Sequence, residues 1–143
     1  MLLALRPEFV AHHWPEVREY VSAAIPPVGL NEGHSLNKVL EQILLGKIVC
    51  WAILDNERIL RGFLLTTIVE DYCTGTRSCL VYSVAGEIFK SQEIWKDGFE
   101  ALVTYAKGMN CRLLSAYTRH DKLAEVVRHF GFNIDWKYIY LEV

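Results

Sequence analysis

The sequence has no long apolar run, no surplus of one charge, no paired-cysteine motif and no internal repeat. No apolar stretch approaches the roughly 18 residues of a membrane-spanning helix. The apolar opening at 1–5 is too short for a secretory core, and Arg6-Pro7 ends it. The expectation is a soluble, cytoplasmic chain that engages no membrane. Lys and Arg number 15 and Asp and Glu 17, for a formal charge of −2. That balance gives no general pull toward nucleic acid. Four cysteines stand at 50, 73, 79 and 111, with no Cys-x-x-Cys pair and no histidine at zinc-finger spacing. Cys50, Cys79 and Cys111 fall in apolar runs and read as buried, reduced thiols. Cys73, beside Gly75 in a polar stretch, is the one expected at the surface, with no base near it in sequence.

What is present is core material. Apolar residues make up 52% of the 143 positions, enough to rule out a disordered chain and to fill one domain spanning 1–143. Pro7 and Pro15 can each open a helical turn, over 7–13 and 15–24, with a break where Pro15 would cost a straight helix a hydrogen bond. A Pro- and Gly-rich loop follows at 26–33. Ser35 reads as an N-cap for a helix with Leu36, Val39, Leu40, Ile43 and Leu44 on one face, closed by Gly46. Three β-rich runs come next, at 47–54, 58–69 and 78–84, with a turn at 55–57; their short connections suggest an antiparallel meander. Then the patterns predict a helix over 91–107, a strand over 111–117, a helix over 121–130 and a strand over 133–143. The order α-α-β-β-β-α-β-α-β gives an α/β fold, a mixed sheet with helices on its faces.

That order, together with three local stretches, resembles the GNAT superfamily of acyl-CoA N-acyltransferases. Asp55-Asn56-Glu57-Arg58-Ile59-Leu60-Arg61-Gly62-Phe63 is similar to the family's hairpin between its second and third strands, where a short turn leads into a Gly-Phe pair. Phe99-Glu100-Ala101-Leu102-Val103-Thr104-Tyr105-Ala106-Lys107 resembles its central helix. His129-Phe130-Gly131-Phe132 resembles the turn closing its last helix. The likeness covers roughly 36–143, with the first helices fitting more loosely. It implies a GNAT-like, mostly antiparallel sheet with helices on both faces. It also implies transfer of an acetyl or other acyl group from acyl-CoA to an amine, which attacks the thioester directly.

The family holds the CoA pyrophosphate with an Arg/Gln-x-x-Gly-x-Gly/Ala loop at the start of the central helix, where backbone N–H groups and the helix dipole face the anion. Aligned without gaps, Lys90-Ser91-Gln92-Glu93-Ile94-Trp95 falls on that motif. Lys90 supplies a cation, but Glu93 brings a negative charge and Trp95 brings bulk where small residues belong. A shifted loop would use Gly86 and Ser91. The implied set of acetyl-CoA contacts is Val84, Gly86, Lys90, Ser91 and Gln92, with pantetheine beside 79–84. Many members carry a Tyr on the last helix that protonates the leaving thiolate; here that position is Val127. Tyr117 and His120 stand just before this helix as substitutes. Tyr82, Glu87 and the pair Glu70-Asp71 are the nearby candidates for a general base. Tyr82, Glu87 and Tyr117 form the catalytic set carried forward.

Two readings of function remain side by side. One is acyl transfer, with acyl-CoA and an amine as partners. The other is a GNAT-fold binding, assembly or regulatory protein without the chemistry, its partner another protein. Small divergent GNAT-like proteins encoded by tailed phages are similar in length and in their eroded glycine loop. An opening between the strands at 79–84 and 111–117 would favour the enzyme; Trp95 or Phe89 filling that space would favour the binder. No metal is expected, because Pro15 separates His12 from Glu16 and no third ligand is evident. Phe89, Trp95 and Phe99 read as core or as an interaction surface. Trp136, Tyr138 and Tyr140 alternate onto one face of the last strand, which at an edge would pair with another subunit as a homodimer.

Overall fold

The computed structural model describes residues 1–24, 32–87, 92–118, 120–135, 139 and 141. Pro7 opens α1 (Pro7–His12), and Pro15 sits in the first turn of α2 (Trp14–Ser22). The two are separated at His13, whose backbone leaves helical geometry at φ −101° and ψ 18°, as the missing N–H of Pro15 requires. The third helix, α3 (Glu32–Leu44), begins before Ser35, so that residue lies inside the helix rather than capping it. Glu32, Gly33 and His34 include no proline, so the helical backbone can start ahead of Ser35.

Five strands follow one another across the sheet in the order β1-β2-β3-β4-β5. They are β1 (Leu2–Ala4), β2 (Ile48–Leu54), β3 (Leu60–Glu70), β4 (Arg77–Gly86) and β5 (Leu113–Ala116). The short β1 was not expected from the sequence. It pairs antiparallel with the edge of β2, Leu2 facing Ile53, and the terminal amine donates to the Leu54 carbonyl at 2.8 Å. β2, β3 and β4 form the antiparallel meander, and β5 joins β4 in parallel. The parallel step needs a crossover, which α4 (Gln92–Gly108) provides; α5 (Asp121–His129) follows β5. The expected last strand, with Trp136, Tyr138 and Tyr140, falls largely outside the described residues.

Helices cover both faces. On one, α1, α2 and α3 pack Val10, Val17, Val21 and Ile43 onto Cys50, Phe63 and Leu65. Such burial is worth about 1.5–3 kcal/mol for each aliphatic side chain. On the other, Leu102 of α4 packs on Trp51, Ile53, Leu64 and Val81. The Trp51 indole donates to the buried Thr66 hydroxyl at 2.9 Å, and Tyr105 meets its ring edge-on at 5.0 Å. No helix among the described residues is long and apolar enough to cross a membrane.

Candidate active site

The pairing of β4 changes along its length. Ser78 to Val81 run beside Leu113 to Ala116, and the Tyr117 N–H reaches the Val81 carbonyl at 3.3 Å. Beyond that point β4 continues to Gly86, still paired with β3. Among the described residues no strand flanks 82–86 on the β5 side. The divergence coincides with a bulge: Leu65 faces Ser83 and Thr66 faces Val81, so Tyr82 is the unpaired extra residue. A bulge re-aims a side chain, and here the Tyr82 ring packs partly buried on the α1–α3 side.

Two glycines hold this half of β4 against β3. Gly62 faces Gly86, and a Cβ on either would overlap the other strand's backbone. Gly86 also has φ +127°, a conformation that suits glycine alone. Its lack of a side chain therefore serves strand packing, whatever else it serves. The next N–H, of Glu87, donates to the Arg61 carbonyl at 2.9 Å.

A cleft of about 410 Å³ opens over the divergence, walled by Glu19, Tyr20, Ala23 and Ala24 of α2 and its end, by Val84, Ala85 and Gly86, and by His120. Tyr20 is fixed by an edge-on contact with Phe63 at 5.2 Å. The α2 residues were not singled out from sequence. Their spacing of one, four and five is that of one helix face, and that was the available signal.

Of the sequence-selected residues, Tyr82 and Tyr117 come together, their rings edge-on at 6.5 Å. Burial, and then the proximity of Tyr117, push the Tyr82 hydroxyl above its ordinary pKa, so this phenol stays protonated and can donate. Val84 and Gly86 line the cleft, and Glu87 is exposed just past the strand. His120 precedes α5, where its N–H is held by the Thr118 hydroxyl at 3.1 Å. Phe89, Lys90 and Ser91 lie outside the described residues, as does the Gln92 side chain. The alternative bases Glu70 and Asp71 stand at the opposite end of the β3–β4 hairpin, where Glu70 faces Arg77. Asp71 accepts bonds from Thr74 and Cys73, which hold its carboxyl below the usual range. It builds a turn, a strand's length from the cleft.

Glu93 lies in the first turn of α4, and Asn56 of the β2–β3 turn donates to that carboxylate at 3.0 Å. Glu93 thereby answers the helix dipole from within the chain. Trp95 does not close the cleft. It is partly buried on the α4 side with Trp51 and Leu102, while Phe99 stacks on Phe130 at 5.0 Å. Among the described residues no three His, Cys, Asp or Glu side chains group as metal ligands.

No protein-family model matches the sequence, and no curated protein matches it. Solved structures do match its fold. The aminoglycoside N-acetyltransferase AAC(6′)-Iy, in complex with the bisubstrate analogue CoA-S-monomethyl-acetylneamine, superposes with a TM-score of 0.70 at 15% identity, covering 100% of this chain and 97% of that one. Ribosomal-protein-alanine N-acetyltransferase from Brucella melitensis biovar Abortus 2308 gives 0.67 at 14% identity, covering 100% and 99%. AAC(6′)-IG from Acinetobacter haemolyticus gives 0.67 at 13%, covering 100% and 97%. The chain has the GNAT fold over its whole length.

Proposed function

We propose that this protein transfers an acyl group from acyl-CoA to an amine, in the cleft between α2 and the second half of β4. One observation carries the reading: β4 and β5 part after Val81 and Ala116, where Tyr82 and Tyr117 meet, and the strand edge beyond them borders a cleft walled by Glu19 and Tyr20. The acyl donor brings an electrophilic carbonyl and a thiolate leaving group. The chain's part is to hold, orient and move protons. Backbone groups of 82–86 align the donor. Glu87, or Glu19 on the opposite wall, takes a proton from the ammonium, and the free amine attacks. As the C–N bond forms and the C–S bond breaks, the Tyr117 hydroxyl gives its proton to sulfur, and the second proton shed by the amine nitrogen restores that hydroxyl through water. A carboxylate-bearing wall suits a cationic acceptor. The aminoglycoside enzyme above, which shares the fold, is in complex with a bisubstrate analogue.

The test is calorimetric titration with CoA and acetyl-CoA, followed by thiol release with a panel of primary amines. Micromolar binding that Lys90→Glu abolishes, together with amine-dependent thiol release, is the expected result. A second reading, a GNAT-fold protein that binds another protein and does no transfer, is favoured by Glu93 and its Asn56 partner at the start of α4. Folded protein that shows no heat with either ligand would select it.

A further inference from the structure

A second void lies on the other side of β4 and differs from the cleft in chemistry. It is a partly open pocket of about 80 Å³ between α4, α5 and the sheet. Its walls include Val81, Val84, Ala116, Trp95, Phe99 and Val127, and every residue lining it is aliphatic, aromatic or glycine. Such a lining offers no partner to a polar guest. Val84 lines both this cavity and the cleft. A carbonyl held at the edge of 82–86 therefore stands next to the mouth of an apolar hole. We infer that the cavity seats the donor's acyl chain, and that the preferred donor carries a short saturated acyl group of about four carbons. This rests on the acyl-transfer reading and sharpens it.

The size follows from scale. A dry cavity of about 150 Å³ accepts benzene, so about 80 Å³ takes roughly three carbons beyond the carbonyl. Acetyl would leave most of it empty. A chain of eight carbons exceeds it, and a succinyl group would carry a carboxylate into a site that offers it no donor. Each methylene moved from water into the hole tightens binding by about fourfold.

The experiment is calorimetry of the full chain with CoA, acetyl-, butyryl-, octanoyl- and succinyl-CoA. Butyryl-CoA is expected to bind at least tenfold more tightly than acetyl-CoA, octanoyl-CoA no more tightly than butyryl-CoA, and succinyl-CoA more weakly than acetyl-CoA. A methyl group added in the wall provides the second measurement. The Cβ of Gly98→Ala would stand at ordinary contact, 3.8 Å from Leu2 Cγ, so this variant is expected to fold, and it should lower the butyryl-to-acetyl affinity ratio. Equal affinity for acetyl- and butyryl-CoA, with CoA itself bound, would overturn the inference and leave acyl transfer standing. Failure of every CoA form to bind would overturn both.

Discussion

The two halves of β4 share a strand but not a role. Residues 77–81 have a strand on each side, whereas among the described residues 82–86 have only β3. The first half carries buried Cys79 and Leu80 and is ordinary sheet interior. The second half contains a bulged tyrosine and a glycine pressed on a glycine, and it faces two voids. A strand released from one neighbour must be held more firmly by the other. The Gly62 and Gly86 contact supplies that hold. The difference teaches that the opening is made by ending a pairing, at no expense to the sheet's core.

The largest expected effect comes from breaking that hold. Gly62→Ala places a methyl group into the Ala85 backbone and the Gly86 Cα, where nothing flexible can yield. Loss of about 3 kcal/mol is expected, read as a fall of about 10 °C in Tm. Gly75→Ala is the control: its φ is +65° but no atom lies within 4 Å of the added carbon. It should lose about 1 kcal/mol from conformation alone. Equal losses would mean that the two strands are not in fact pressed together.

Next is the chemistry assigned to the freed half. Tyr117→Phe should lower kcat about a hundredfold with little change in KM, as expected for a proton donor used only in the transition state. Tyr82→Phe should lower it less, because that ring is partly buried on the α1–α3 side. Steady-state thiol release measures both. The reverse order would make Tyr82 the donor.

The paired half has its own signature, smaller and at high pH. Burial, with a lesser contribution from nearby Cys111, pushes the Cys79 thiol up to about 11 from 9.0. Between those values the unfolded chain loses this proton and the folded chain keeps it, so the native state loses stability as pH rises. The contribution is intact below pH 9 and gone above about 11, roughly 2 kcal/mol in all. Urea unfolding at pH 8 and pH 10.5 should show a shallower decline for Cys79→Ala than for the parent chain. Parallel declines would place the loss elsewhere.

Much of this was legible in the residues. Periodicity located the helices and the meander, because apolar spacing is dictated by which face is buried. The break between α1 and α2 followed from Pro15 alone. The pairing of Tyr82 with Tyr117 was not visible, since it depends on where a parallel register ends and on a one-residue bulge, and neither leaves a mark in composition. β1 was missed because three residues at a sheet edge borrow their order from β2. Glu70 and Asp71 looked like strand-end carboxylates near the fourth strand, as they are, but at the wrong end of it. The α2 wall of the cleft was overlooked because its residues matter only once α2 is laid over 84–86.

The smallest expected effect tests whether the freed half works with the start of α4. Glu93 has two consequences of opposite sign. Its carboxylate stabilises the first turn of α4 and accepts the Asn56 amide, and it repels an anion arriving at the same helix end. Glu93→Gln keeps a group able to bond Asn56 and removes the charge. Tm should fall slightly, while CoA should bind about threefold more tightly at low ionic strength. The gain should fade as added salt shortens the screening length to a few ångströms. Both changes are needed. A lower Tm with unchanged CoA affinity at low salt would mean that the diphosphate lies away from α4, held elsewhere on the surface while the pantetheine arm alone uses the edge of β4.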